Sequence, residues 1–358
     1  MRIFVNRLSF LVMLLLLAGC WTLPAQAGPM EDAQNALERK DFGTAYKILQ
    51  PLADQGDAEA MYFVGRLYEA GQGVTKNASK AAQWFRKAAE KGDTSAQNSY
   101  AGALTEGRGV KRNHAEAVRW FRKAAEGGHA TAQYNLGFMY ANGRGVKKNE
   151  QEALEWYTKA ATQGLAAAQY SLGWMYMNGR GAAQSDTRAV EWFQKAADQD
   201  HAKAQNNLAY MYAEGRGYPQ DYKKAAVWYR RAAELGYAGA QYNLGFLYEQ
   251  GKGVLKDYGK AVELYRKAAE QGDPAAQFSL GLMYEQGTGV NRNLTEADRW
   301  YRLAARNGDP DAKAVLAQQN KGKTQSSKQK NARQSRKASS GKQAPKHKTT
   351  GKSSEKKS

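Results

Sequence analysis

Cysteine is almost absent from this chain. Among 358 residues there is one, Cys20, so no disulfide can form within the molecule and no cysteine-based metal site can be built. If the segment holding Cys20 is removed, thiol catalysis goes with it. Histidine is nearly as scarce: His114, His129, His201 and His347 are scattered, with no H-E-x-x-H pair and no Walker-type glycine run to hold a metal or a nucleotide. The only long apolar run, Leu8 to Ala18, follows Arg2 and Arg7. It is short for a bilayer span of roughly 20 residues, which argues against a retained transmembrane helix. Aromatic residues stop at Tyr301, so nothing beyond it can stack on bases.

That positive start followed by an apolar stretch has the form of an export signal over residues 1–27. Two processing readings stand side by side. Leu17-Ala18-Gly19-Cys20 resembles a lipobox, which would lipidate Cys20 and place the protein on the outer membrane. Ala25-Gln26-Ala27 resembles an ordinary A-x-A cleavage site, which would free Gly28 and leave a periplasmic or secreted chain. The formal charge of +19 is also unevenly placed. From Gln319 onward thirteen Lys/Arg face one acid, Glu355, so the tail carries +12 and the folded body only about +5. The Lys/Ser/Gln/Gly composition of residues 320–358 reads as a disordered basic tail. Its expected counterparts are an anionic envelope polymer, a lipid surface or an acidic protein, and the competing reading is a solubilising tail with no specific target; nucleic acid is disfavoured for an exported chain without aromatics in the tail.

What the sequence does contain is a period. Gly56, Gly92, Gly128, Gly164, Asp200, Gly236, Gly272 and Gly308 fall 36 residues apart, and G-x-G pairs from Gly71/Gly73 to Gly287/Gly289 keep the same spacing. A fixed period of this length marks a solenoid whose units bury their apolar faces against one another. Asp273 to Gly308 shows one unit. Asp273 caps a helix with Pro274 at its first position, and Ala276, Leu280, Met283 and Tyr284 form an apolar stripe. Gly287 and Gly289 end that helix. A second helix beginning near Thr295 buries Ala297, Trp300, Tyr301, Ala304 and Ala305. Ala81 through Ala297 hold one small position without exception, and Trp84, Trp120, Trp156, Trp192, Trp228 and Trp300 hold an aromatic one, with Leu264 once in its place. Gly65, Ala101, Gly137, Gly173, Ala209, Gly245 and Gly281 form a small column that lets helix backbones approach.

The expected architecture is all-α: an α/α superhelical solenoid of about seven 36-residue helix-turn-helix repeats over residues 57–308. A helical hairpin over 28–56, turning at Gly43, and one closing helix over 309–319 would cap it. The second repeat departs most, with Tyr100, Ala101 and Leu104, and is expected to be locally bent or less stable.

The pattern A-x-A-Q-Y-N-L-G-x-M-Y-x-x-G-x-G-V, then A-x-x-W-Y-x-K-A-A-x-x-G, resembles the Sel-1-like repeat, a branch of the tetratricopeptide-like solenoids. Ala132 to Gly137 and Ala240 to Gly245 are the nearest matches. The resemblance implies a non-enzymatic adaptor that binds a protein or peptide in the concave groove, often in an exported bacterial protein, and no cofactor. Some relatives are linked to penicillin binding or β-lactamase activity. Here the S-x-x-K matches at Ser339 and Ser353 lie in the tail and no S-D-N follows.

Candidate groove residues are those on one side of the first helices: Tyr134, Asn135 and Phe138; Tyr170, Trp174 and Met177; Asn207 and Tyr210; Tyr242, Asn243 and Phe246; and Phe278. The aromatics would grip an extended peptide or apolar helix while the asparagines bond its backbone. The competing reading is that these rings complete packing between repeats. His129 and His201 occupy the helix-start position held elsewhere by Asp57, Asp93 and Asp273, so a capping role is expected for them.

Overall fold

A computed structural model describes residues 28–321 together with Asn331 and Gln334. Both leader readings and nearly all of the basic tail lie outside these residues. The opening hairpin is α1 (Pro29–Glu38) and α2 (Phe42–Asp54). The first helices of the seven repeats are α3 (Ala58–Ala70), α5 (Thr94–Glu106), α7 (Ala130–Asn142), α9 (Ala166–Asn178), α11 (Ala202–Glu214), α13 (Ala238–Gln250) and α15 (Pro274–Gln286). Their second helices are α4 (Ala78–Glu90), α6 (His114–Glu126), α8 (Glu150–Thr162), α10 (Asp186–Ala197), α12 (Tyr222–Glu234), α14 (Tyr258–Glu270) and α16 (Leu294–Arg306). Residues 310–321 are helical and form α17. Among the described residues all regular structure is helical, and the chain is a helical solenoid of seven consecutive repeats. Two compact units divide it between Gln184 and Ser185, within the fourth repeat.

The first unit opens on the hairpin, and there one expectation is corrected. Gly43 is not the turn. The Asp41 carboxylate accepts from the Thr44 N–H at 3.1 Å, which starts α2 at Phe42 and leaves Gly43 inside it. The left-handed turn residue is Lys40, with φ of 59°. In repeats one to three the small column does what the sequence implies: a Cβ on Gly65 would lie 2.7 Å from the Phe85 ring, and one on Gly137 would lie 2.9 Å from Tyr157. The deepest aromatic is thus the residue after each tryptophan. Phe85, Phe121 and Tyr157 are buried, whereas Trp84 and Trp120 are only half-buried. Lys87, Lys123 and Lys159, three residues on, lie 4.0–4.6 Å over the tryptophan rings, contacts worth roughly 0.5–1 kcal/mol each where exposed. The second repeat keeps 13-residue helices like its neighbours and buries Tyr100, Ala101 and Leu104.

The second unit repeats this packing. Gly245 faces the Tyr265 ring and Gly281 the Tyr301 ring, at 2.9 and 2.7 Å from a hypothetical Cβ. Asp200, in the place of a glycine, adopts φ of 57°, a left-handed conformation that Asp tolerates better than most side chains.

Two contacts join one repeat to the next within each unit. The first is a buried glutamine. Gln97, Gln133 and Gln169 donate to the carbonyls of Ala89, Ala125 and Ala161 at 3.1–3.2 Å. In the second unit Gln205, Gln241 and Gln277 donate likewise to Ala197, Ala233 and Ala269. Each carbonyl is one of the last four of a second helix, which have no partner inside that helix. The glutamine oxygen must then find a donor of its own. Gln163 supplies it for Gln133 at 2.8 Å, Gln271 for Gln241 at 2.7 Å, and Asn307 for Gln277 at 3.0 Å. For Gln205 the residue at the matching position, 30 on, is Leu235, which has no side-chain donor, and the buried Gln205 Oε1 has no partner.

The second contact is steric. The later glycine of each loop pair packs on the first residue of the preceding second helix. A Cβ on Gly145, where φ is +70°, would lie 2.3 Å from the His114 carbonyl oxygen, so both the backbone angle and the space demand glycine.

Two outcomes are expected. Leu235→Gln gives the Gln205 oxygen a donor and raises stability by about 1 kcal/mol, read as a higher midpoint in denaturant unfolding; an unchanged or lower midpoint refutes the assignment. The second concerns pH. His129 and His201 cap α7 and α11 by accepting the Ala132 and Ala204 N–H groups on Nδ1 at 3.2 Å, which only a neutral ring can do. Burial lowers both pKa values from the ordinary 6.5. The unfolded chain therefore takes up protons first. The capping contribution is complete above about pH 6.5 and is lost as pH falls below it. Stability measured from about pH 7.5 to about pH 5 should decline more steeply in the wild type than in a His129→Asp/His201→Asp variant; parallel curves would show that the caps do not titrate.

Candidate functional site

In the first unit, three of the aromatic positions singled out from the sequence come together. Phe138 on α7 and Tyr170 and Trp174 on α9 line a cavity of about 410 Å³ with Ala141, Asn142, Tyr157, Ser171 and Met175. It is completed by two charged residues that sequence reasoning passed over, Glu150 at the start of α8 and Arg180 between the loop glycines Gly179 and Gly181. The Arg180 guanidinium lies 5.6 Å from the Trp174 ring centroid. Its Nε donates to Glu150 Oε1 at 2.8 Å and its Nη2 bonds the same oxygen. Lys148 Nζ is 3.0 Å from that carboxylate. Hydrogen bonds from Arg180 first, then from Lys148, hold the Glu150 carboxyl down to about 2. The Tyr157 phenol is pushed up by burial. The Trp174 ring is 38% exposed, an aromatic face that helix packing does not consume.

The second unit holds a cavity of about 240 Å³ lined by Tyr210, Ala213, Glu214, Tyr222, Tyr229, Tyr242, Asn243, Phe246, Leu247 and Lys252. Each of these residues lies 72 positions, two repeats, after a lining residue of the first cavity. The site is therefore a product of the repeat register. Its chemistry is not copied: Tyr222 replaces Glu150, and Lys252 replaces Arg180. Lys252 Nζ instead sits 5.2 Å from the Tyr222 ring and 5.7 Å from the Phe246 ring.

What persists is a cation between two glycines set beside an aromatic of the same repeat. Arg144 lies 5.2 Å over Phe138, Arg180 over Trp174 and Lys252 over Phe246. Arg216, beside Tyr210, pairs with Asp186 at 2.7 Å, and its pKa is raised by Asp186 first. Outside repeats three to six the pairing stops. Gly102 takes the aromatic's place in repeat two, where Arg108 Nη2 lies 3.8 Å from a hypothetical Cβ. Repeat seven has Leu282 with Thr288. The sequence signal was the recurrent G-R-G at Arg108, Arg144, Arg180 and Arg216, which is more than the turn chemistry it first suggests.

The remaining candidates are divided between surface and packing. Tyr134, Tyr242 and Phe278 are half-buried and tilt against Tyr157, Tyr265 and Tyr301 at 5.5–5.6 Å; Phe278 lines neither cavity. Asn135 donates to Asn98 and Asn243 to Asn206, each at 3.0 Å, and Asn206 donates to Asn207 at 3.3 Å. The first two bonds tie neighbouring first helices together; the third stays within α11. Met177 is half-buried. Among the described residues no group of three or more His, Cys, Asp or Glu could hold a metal ion, and no helix is long and apolar enough to cross a membrane.

Seven successive segments, 58–93, 94–129, 130–165, 166–201, 202–237, 238–273 and 274–309, match the Sel1 repeat model. The chain belongs to the Sel1 repeat family. The boundaries differ by one residue from those read off the glycine pulse. Among solved structures, it is 38% identical to a protective antigen of uropathogenic Escherichia coli displaying an SLR fold, over 76% of this chain and 58% of that one, with a TM-score of 0.71. It thus spans less than two thirds of that antigen. It is also 31% identical to a Sel1 repeat protein from Oxalobacter formigenes, over 88% of this chain and 94% of that one, with a TM-score of 0.64. Among curated proteins none matches the sequence. Sel1 repeat proteins typically act as protein-interaction scaffolds, and the family is mainly non-catalytic.

The Glu150–Arg180 pair gives this Sel1 protein a direct check. The Glu150 carboxyl should titrate near 2 by NMR, and in Arg180→Gln its midpoint should rise toward the ordinary carboxylate range. A midpoint unmoved by that substitution would show that Arg180 does not hold the carboxylate in solution.

Proposed function

We propose that this Sel1 repeat protein is a non-enzymatic adaptor of the bacterial cell envelope that binds polypeptide segments on the first-helix face of each unit, over repeats three and four in the first unit and repeats five and six in the second. The observation that carries this reading is the recurrence, in register, of a solvent-reaching aromatic with a loop cation beside it: Phe138 with Arg144, Trp174 with Arg180, Tyr210 with Arg216 and Phe246 with Lys252. Stacking of repeats uses the Gly/Ala column, the buried Phe/Tyr and the glutamine bridge; it does not use Trp174, Tyr210 or Phe246, which are 38–41% exposed. Large rings held by their neighbours lose little rotamer freedom on binding, which makes them effective anchors. A partner presenting aromatic or long aliphatic side chains beside carboxylates would satisfy both halves of each pair.

The lining supports an adaptor over an enzyme. Ser171 is the one hydroxyl nucleophile of serine or threonine type in either cavity, and its Oγ donates to the Ala167 carbonyl at 2.9 Å. No histidine lines either site to activate it. The envelope assignment rests on the leader composition and on the bacterial origin of the related proteins. The role of the basic tail lies outside the described residues.

The test compares partner capture from an envelope extract by the chain from Gly28 onward, by Phe138→Ala/Trp174→Ala and by Tyr210→Ala/Phe246→Ala. Each double variant should still unfold in one cooperative transition with its helix content unchanged, and weaken capture of the same partner by roughly tenfold or more. Wild-type capture by both variants would sink the proposal.

A further inference from the structure

The edge of the second unit where first helices turn into second helices has a character that the first-helix face does not explain. We propose that this edge docks on an anionic lipid bilayer, with Leu255 as its inserting residue. The loops line up because each packs on the helix start before it. A Cβ on Gly253 would lie 2.2 Å from the Tyr222 carbonyl oxygen, and one on Gly289 would lie 2.5 Å from that of Tyr258. Successive loop tips and successive second-helix N-termini therefore form one row.

Along that row the large apolar residues point outward. Leu255 is 91% exposed, and Leu294, Tyr218 and Tyr258 are 55%, 46% and 37% exposed. A leucine with nine-tenths of its surface in water serves no packing purpose, and an exposed apolar group at a loop tip calls for an apolar counterpart. Cations are interleaved with them. Lys256 lies 4.6 Å from the Tyr258 ring, and Lys223 and Lys260 are exposed at the adjoining helix starts. The acids at the second-helix starts of this row are engaged: Asp221 and Asp257 cap α12 and α14 by accepting the Lys224 and Lys260 N–H groups at 2.9 and 3.0 Å, Asp186 pairs with Arg216 at 2.7 Å, and Glu296 pairs with Arg299 at 3.2 Å. Exposed Leu and Tyr rings among lysines, with no free carboxylate between them, match the interface of an anionic bilayer, where apolar groups enter the acyl boundary and lysines meet the head groups. In the first unit, the equivalent row carries cations such as Lys76, Lys111 and Lys147, but no large apolar residue of that row is among the exposed ones.

Because Cys20 is the only cysteine, the chain from Gly28 onward accepts a single labelled thiol. That chain contains every helix and contact described above. Leu255→Cys and, as a control, Leu235→Cys on the opposite edge (Leu235 is 53% exposed) would carry an environment-sensitive fluorophore and be mixed with phosphatidylglycerol or phosphatidylcholine vesicles. The expected result is a blue shift at position 255 with phosphatidylglycerol alone, and none at 235. Lys256→Gln and Lys223→Gln should each weaken vesicle binding roughly fivefold, the worth of one lysine near an anionic surface. Vesicle binding without a shift at 255, as a basic tail acting alone would produce, overturns the proposal. So does an equal shift at both positions, or a shift that neutral vesicles reproduce.

Discussion

Everything in each unit depends on a close approach that admits no side chain. The second glycine of every loop pair rests on the backbone of the preceding second helix, close enough that a Cβ would meet a carbonyl carbon or oxygen at 2.1–2.7 Å. Attraction plays little part here. The constraint is steric: only glycine lets the loop land there, and landing there sets how far and at what angle one repeat follows another. The buried glutamine then closes the other edge of the same junction, giving a last-turn carbonyl of the second helix, which accepts from the N–H three residues on, a further donor from the next repeat. Insertion or loss of a residue anywhere in the 36 would misplace both contacts at once.

The same constraint builds the candidate binding face. The residue between the two loop glycines has no freedom to wander, since its neighbours are held on both sides. A long cation placed there is delivered to the aromatic of its own first helix and, where the preceding second helix begins with an acid, to that carboxylate as well. Arg180 meets Trp174 and Glu150 in this way, and Lys252, lacking an acid at Tyr222, spreads across two rings instead. The scaffold thus fixes a geometry and leaves the chemistry at each step open to sequence. That is how a repeat protein varies recognition without changing its fold. The loop row of the second unit follows the same logic: junctions align the tips, and what the tips carry is free to vary.

Packing and recognition compete for the aromatic residues, and burial separates them. The ring after each tryptophan, or after Leu264 in the sixth repeat, is taken by the small column, so Tyr157, Tyr265 and Tyr301 are core. Tyr134, Tyr242 and Phe278 lean on those rings and belong partly to each role. Trp174, Tyr210 and Phe246 belong to the surface. The packing reading of the first-helix stripe therefore holds for the half-buried rings, while the exposed ones are left available for the proposed binding.

The period, the helix pairs, the glycine turns, the small column and the histidine caps were legible from residue spacing alone, because each reports a local backbone angle or a contact repeated seven times. The turn of the opening hairpin was misread at Gly43, since a cap at Asp41 outweighs a glycine that merely permits a turn. The bridge from Gln133 to Gln163 and its gap at Leu235 could not be read, because they join positions 30 apart that only stacking brings together. The same holds for Arg180 with Glu150. Sequence by itself determined that this chain is a solenoid of seven helical repeats of about 36 residues. Tertiary structure decided which of its many aromatics and cations face outward together, because exposure is a property of neighbours in space and not of neighbours along the chain.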